Sequence, residues 1–374
     1  MSTQLKDWQG RNIDPKTSGG GGGGSVYPSL TSITGASGAR KKIASMPDGG
    51  YLVLTDYPYN NTIGECYSFR AKITSFSKLL VGRGNYSGNV DNANFTNSYC
   101  CWLEIDSTNV KVCRPNNVVL ATYTHGLTIS AWIAVNMFLD DDKVMHLTIG
   151  TLNGQFVQNI NPYVNTNTPY WYTDASGAVK AVSDGSVFTD CNLSATNKYL
   201  HHPFWIFGAS YENHSGWINV VRQMGYKNFL HNAYPGRASD SCYADLLRAL
   251  NYGCPKFLYW TMWGNGTAQS LDDKIGAAKE ICDEANATLI IIDRPNSSAQ
   301  DTQDAYAAKK AVIEKYKALG VRYVDSANAL STNPASPDGW YSGYLSSDGK
   351  HPTQLGYKSL AMQVLQDLPE IMQY

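Results

Sequence analysis

Thr288-Leu289-Ile290-Ile291-Ile292-Asp293 is a run of apolar, mostly β-branched residues that ends on an acid. Helical spacing flanks it on both sides, at 272–285 and, rich in Ala and Lys, at 302–319. A short, wholly apolar strand between two helices is the repeating unit of a parallel sheet covered on both faces. The alternation continues outward. Upstream lie an apolar strand at 204–207, helical spacing at 216–224, an amphipathic helix at 240–250 and a buried strand at 256–261. Downstream lie a strand at 321–324 and a closing helix at 353–372. Residues 199–374 are therefore expected to form a three-layer α/β/α domain with a parallel sheet.

Further upstream the texture changes. Short apolar or alternating runs recur at 51–55, 67–74, 101–105, 110–113, 118–123, 127–137, 144–149 and 156–160, with Asp, Asn and Gly clusters between them. Many short strands without an intervening helical period predict an antiparallel β-sandwich over 26–198. The strand at 127–137, the Asp140-Asp141-Asp142 turn and the strand at 144–149 resemble a hairpin of a concanavalin-like or laminin-G-like jelly roll. The three aspartates read as a solvated hairpin tip in preference to a calcium site. Six consecutive glycines from Gly19 mark a flexible linker, so residues 1–25 form an arm and linker outside both domains. The arm resembles the short leader of some phage tail and prophage-encoded adhesion proteins.

Composition agrees with this division. A length of 374 residues favours two domains, and 43% hydrophobic with 16% charged residues is a globular composition. A formal net charge of −1 leaves no electrostatic footprint for nucleic acid or an anionic membrane. No apolar run reaches the ~18 residues of a membrane span. The polar N-terminus lacks a secretory core, so the expected location is the cytosol, or a virion or cell surface reached without a signal peptide. The eight cysteines show neither CxxC pairing nor zinc-like spacing and read as buried free thiols.

Acyl transfer needs a hydroxyl nucleophile, a base, an orienter for that base and donors for the oxyanion. Phe207-Gly208-Ala209-Ser210-Tyr211-Glu212 sets a serine at a strand end, where open α/β sheets hold ligands, with a helix expected to follow. Ser347-Asp348-Gly349-Lys350-His351-Pro352 sets an acid three residues before a histidine, just ahead of the closing helix. A tight turn at that spacing brings the carboxylate to one imidazole nitrogen and leaves the other for the serine.

Four ordered blocks across 204–372 resemble those of SGNH (GDSL-like) hydrolases. Gly208-Ala209-Ser210 is similar to the nucleophile block, with Ala209 where the family usually has aspartate. Asn232-Ala233-Tyr234-Pro235-Gly236 resembles the second block, Trp263-Gly264-Asn265-Gly266 the third, and Asp348 with His351 the last. The resemblance implies Ser210, His351 and Asp348 as catalytic residues. It implies an oxyanion hole of the Ser210 and Gly236 N–H groups and the Asn265 amide, and chemistry needing no cofactor or metal. Trp263, Trp340, Tyr341 and Tyr344 lie near the expected active-site loops and are candidates to stack on a substrate.

The expected function is a carboxylic-ester hydrolase, with O-acetyl groups on a carbohydrate as leading substrate and a lipid or aryl ester as runner-up. No Gly-x-Ser-x-Gly elbow is present, which argues against an ordinary α/β-hydrolase. Ser75-Phe76-Ser77-Lys78 matches Ser-x-x-Lys by chance, and His201-His202 reads as a boundary loop. The rival reading is a non-catalytic glycan-binding or tail-like adhesion protein, for which a homo-oligomer such as a trimer is expected.

Overall fold

The computed structural model describes residues 38–54, 64–85, 95, 101–114, 118–140, 144–160, 177–197, 199–200, 202–212, 216–233, 236–251, 253–261, 263, 265–297 and 299–373. These divide into two compact units, one within 36–200 and one within 201–374. The arm, the glycine run, and Asp141 and Asp142 of the hairpin tip lie outside the described residues.

The first unit contains β1 (Gly38–Met46), β2 (Tyr51–Leu54), β3 (Glu65–Ser75), β4 (Lys78–Asn85), β5 (Cys101–Ile105) and β6 (Asn109–Arg114). It continues with β7 (Val118–Thr124), β8 (Trp132–Leu139), β9 (Met145–Thr151), β10 (Gly154–Ile160), β11 (Gly177–Asp184) and β12 (Val187–Asn197). They form two six-stranded sheets, ordered β1-β12-β3-β8-β9-β10 and β2-β11-β4-β5-β6-β7, in a sandwich-like arrangement. Every pairing is antiparallel. Period-two alternation supplies the core: Ile133, Val135 and Met137 of β8 and Met145, Leu147 and Ile149 of β9 are buried, and the residues between them are not. Each such side chain contributes roughly 1.5–3 kcal/mol by leaving water. The strand expected at 127–137 starts only at Trp132 and runs on to Leu139. Asp140 uses its carboxylate within the protein, accepting from Val144 N–H at 2.9 Å and meeting His146 Nε2 at 2.6 Å.

The second unit runs β13 (Phe204–Gly208), α1 (Trp217–Gln223), β14 (Leu230–Ala233), α2 (Ser239–Leu250), β15 (Phe257–Trp260), α3 (Ala268–Glu284), β16 (Thr288–Ile292), α4 (Gln303–Ala318), β17 (Arg322–Val324), α5 (Ser326–Leu330) and α6 (Gln354–Asp367). Its five strands are parallel, in the order β14-β13-β15-β16-β17. Phe204 and Ile206 point into one buried cluster with Trp217 and Ile218 of α1 and Leu360 and Val364 of α6. Trp205 and Phe207 face the other way, toward the layer of α2, α3 and α4. Thr267, Thr302 and Thr353 cap α3, α4 and α6, each accepting a backbone N–H three residues on. The closing helix stops at Asp367, short of the expected 372, and Pro369–Gln373 continues as a 3-10 turn. Proline has no N–H to continue the helix and disfavours helical backbone in the residue before it.

Doubly wound order has one consequence for function. The chain leaves β13 in one direction to build β14 and returns across it to build β15, so the sheet reverses between β13 and β15. Loops after the carboxyl ends of these two strands diverge and leave a crevice, where such sheets bind ligands. Ser210 follows β13, and Asn265 follows β15.

Among the described residues, no helix is long and apolar enough to cross a membrane. Cys113, Cys191, Cys242 and Cys282 are buried free thiols, Cys254 is buried against Pro255 O, and Cys66 is only partly buried. Burial pushes the Cys242 thiol up to about 12, so it stays protonated and unreactive at neutral pH.

Candidate active site

β13 is five buried residues long, and its end is shaped by Glu212 folding back beneath it. A Cβ at position 208 would lie 2.7 Å from the Glu212 side chain, so only glycine fits there. Ala209 N–H donates to Glu212 Oε2 at 3.3 Å, and Glu212 N–H returns a bond to Ala209 O at 3.3 Å. This closed turn presents Ser210, which is 8% exposed. The helix expected at 216–224 runs Trp217–Gln223.

The histidine comes from a second turn, closed by an isolated bridge between Leu345 and Pro352. Ser346 N–H donates to His351 O at 2.9 Å, and Gly349 takes a left-handed φ of 68° that its lack of a Cβ allows. Ser297 Oγ donates to Gly349 O and anchors the turn to the loop after β16. Asp348 Oδ1 accepts from Ser346 Oγ at 2.5 Å, Lys350 N–H at 2.8 Å and His351 N–H at 3.0 Å. Its Oδ2 meets His351 Nδ1 at 2.6 Å. Desolvation works to raise the Asp348 pKa, but these hydrogen bonds outweigh it and hold the carboxyl well below the usual carboxylate range.

His351 Nε2 lies 2.8 Å from Ser210 Oγ. With the carboxylate at Nδ1, the proton belongs on Nδ1, and the Nε2 lone pair is left to accept the serine hydroxyl. Asp348, His351 and Ser210 are thus in hydrogen-bond reach in one chain of contacts, the arrangement that activation of a hydroxyl needs.

Gly236 follows β14 with φ at 73°, and the Asn265 amide donates to Arg237 O at 3.1 Å. The second and third blocks are thereby tied together. Since β14 and β15 pair with β13 on its two sides, Gly236, Ser210 and Asn265 follow the ends of three adjacent strands. Tyr234, Pro235 and Gly264 of those blocks lie outside the described residues.

Of the four aromatic candidates, Trp263 is a correction. It is 2% exposed and packs against Tyr306 of α4, with ring centroids 5.5 Å apart, so its indole has no free face for a substrate. Trp340 is half-buried against the core and donates from Nε1 to Asn296 O at 2.8 Å. Tyr341 and Tyr344 pair at 5.4 Å, with Tyr341 40% exposed and Tyr344 partly buried against the core. Both sit on the segment leading to His351, which Thr353 holds by donating from its N–H to Tyr344 O at 2.7 Å.

Beneath the serine lies a buried polar layer that sequence reasoning missed. Arg294, 1% exposed, places its guanidinium 3.6 Å from the Tyr211 ring centroid and Nη2 3.5 Å from Glu212 Oε2. Tyr211 Oη donates to Lys350 O at 2.8 Å, joining the serine turn to the histidine turn. Arg237 donates to Asn232 O at 2.8 Å and pairs with Asp245 at 2.5 Å. Burial pushes the Glu212 carboxyl up, with Arg294 opposing. The available signals were a charged residue two after the serine and another two past the end of an all-apolar strand. Charges in those places read as surface by default.

Among the described residues, no group of three or more His, Cys, Asp or Glu is arranged to hold a metal. No family model matches the chain, and no curated protein sequence does. Among solved structures, the chain is similar to a GDSL-like lipase from Bacteroides thetaiotaomicron, at 13% identity, covering 45% of this chain and 88% of that one, with a TM-score of 0.37. It is also similar to a family 3 carbohydrate esterase from Clostridium thermocellum, at 16% identity, covering 46% and 97%, with a TM-score of 0.34.

Proposed function

We propose that this protein is a serine esterase that removes acyl groups, O-acetyl groups on a carbohydrate above all. The observation carrying the proposal is the chain Asp348 Oδ2, His351 Nδ1, His351 Nε2, Ser210 Oγ, with contacts of 2.6 and 2.8 Å. In the first step Ser210 Oγ attacks the ester carbonyl carbon while its proton passes to His351 Nε2. The Asp348 carboxylate stabilises the imidazolium at Nδ1. The tetrahedral intermediate collapses, the alcohol leaves with the proton from Nε2, and the acyl group stays on Ser210. Water then gives its proton to Nε2 and attacks the acyl carbon, and the serine leaves with that proton.

The oxyanion is assigned to the N–H groups of Ser210 and Gly236 and the amide of Asn265. Asn265→Ala is expected to lower kcat by about 10²- to 10³-fold with little change in KM, because the donor acts on charge present only in the transition state. Unchanged kcat on p-nitrophenyl acetate would remove Asn265 from that role. The Tyr341 and Tyr344 rings, carried on the segment leading to His351, support a flat-faced substrate such as a sugar.

A direct test is covalent trapping. Paraoxon is expected to leave a single diethylphosphoryl group on the peptide containing Ser210, with loss of acetate release from acetylated xylan at the same rate. Label on another residue, or acetate release that survives full labelling of Ser210, would sink the proposal.

A further inference from the structure

β3 reads Glu-Cys-Tyr-Ser-Phe-Arg-Ala-Lys from Glu65, and alternation buries Tyr67, Phe69 and Ala71 while turning Ser68, Arg70 and Lys72 outward. Register extends this outward face sideways. Lys42 of β1 pairs with Asn192 of β12, Asn192 with Arg70, and Arg70 with Ala134 of β8, while Lys72 pairs with Trp132. At about 4.8 Å between strands, Lys42 and Arg70 stand roughly 10 Å apart, with Asn192 between them. Lys72 is two residues, about 7 Å, along from Arg70.

This face is not flat. The β12–β3 register breaks between Thr189 and Asn192, and Asp190 there takes a left-handed φ of 51°. Such a bulge leaves a residue unpaired, bends the strand and re-aims a side chain. Beside the bulge lies a depression of about 560 Å³ whose lining includes Lys42, Arg70, Lys72, Trp132, Asp190 and Asn192. That size lies within the roughly 300–1,000 Å³ of small-ligand sites. Asp190 pairs with Lys72 at 2.6 Å, so the lining holds three cations against one acid in a chain whose formal net charge is −1.

Trp132 gives the depression a partly exposed aromatic wall. A Cβ at Gly150 would lie 3.8 Å from its six-membered ring, in ordinary contact, so the indole rests against the sheet over Gly150 and Ala134. The Arg70 guanidinium lies 5.8 Å from the ring centroid. Short hydroxyl and amide groups continue the face: Ser68 Oγ donates to Asn136 Oδ1 at 2.7 Å.

With Lys72 engaged by Asp190, Lys42 and Arg70 are left facing outward on this face as exposed cations flanking Asn192. A guanidinium forks onto a carboxylate, an indole accepts the apolar face of a pyranose, and short polar side chains suit hydroxyls. We propose that this depression on the outer face of the β1-β12-β3-β8 sheet binds an acidic saccharide. A uronate carboxylate meets the Arg70 guanidinium, which lies 5.8 Å from the indole centroid, its ring rests on Trp132, and Lys42 receives the acid of the neighbouring sugar. The site is independent of the esterase reading, because its test measures binding alone.

The test is native affinity electrophoresis of the full chain in gels containing polygalacturonate, neutral galactan or poly-dT. Retardation by polygalacturonate alone is the expected result. Arg70→Gln and Trp132→Ala are each expected to weaken it by about tenfold or more, as loss of a charge-assisted hydrogen bond or a stacking face does. Lys274→Gln, on α3 of the other unit, is expected to leave it unchanged. Trp132→Phe guards against misfolding, since a phenyl ring is expected to retain part of the binding and the wild-type melting temperature. Absence of retardation overturns the proposal. So does equal retardation by poly-dT, or retardation that Trp132→Ala leaves intact, since either marks general attraction to polyanions.

Discussion

Ser210→Ala is expected to lower kcat/KM on p-nitrophenyl acetate by about 10⁴- to 10⁶-fold, the scale on which loss of a nucleophile in a Ser-His-Asp arrangement is felt. The substitution removes one oxygen from a side chain that is 8% exposed, so folding should be untouched and the melting temperature unchanged. What disappears is the partner of His351 Nε2, now 2.8 Å away. The imidazole then has no hydroxyl to activate, and only slow direct attack by water remains. The loss should fall in kcat, because the ester still meets the same crevice walls. A variant that keeps more than about a tenth of wild-type kcat would assign the nucleophile elsewhere, since removal of a true one costs orders of magnitude more.

The second large effect is on stability. Arg294→Met is expected to destabilise the α/β unit by about 3–5 kcal/mol, the cost of leaving one member of a buried ion pair without its partner. Glu212 is fully buried, and Arg294 is its nearest compensating charge at 3.5 Å. Burial already pushes the Glu212 pKa above its ordinary 4.5, and losing Arg294 pushes it further. A carboxyl raised in the folded state binds its proton more tightly there than in the unfolded chain. The variant should therefore gain stability as pH falls from neutral toward about 4.5, the ordinary value of the group. Urea titrations at pH 7.5 and 5 would read both effects through the buried Trp205, Trp217, Trp260 and Trp263. Adding Glu212→Gln to Arg294→Met should recover part of the loss. An unchanged urea midpoint at pH 7.5 would mean that the pair does not hold the turn together.

Much of the second unit was legible because its periodicities are clean. The strand expected at 288–293 runs Thr288–Ile292, and the helix expected at 302–319 runs Gln303–Ala318. The short strand Leu230–Ala233 was not foreseen: all four residues are buried, yet two of them are His231 and Asn232, which disguise a core strand as a loop. In the first unit, Val187–Asn197 went unread because the bulge at Asp190 breaks its period of two. Candidate site residues were legible where spacing alone carries meaning, as with Asp348 and His351. They were not legible where burial decides, as with Glu212, Arg294 and Trp263. Charge usually means surface and an aromatic in a loop usually means access, and packing reversed both.

The serine and histidine that meet at 2.8 Å are separated by 141 positions along the chain. At synthesis rates of 5–20 residues per second, the histidine leaves the ribosome roughly 7 to 28 s after the serine. Through that interval the newborn polypeptide carries a dormant hydroxyl with nothing to ionise it. On the proposed mechanism hydrolytic competence arrives only with the turn that carries His351, so the appearance of turnover during translation would serve as a clock for the closing of the serine and histidine turns on each other.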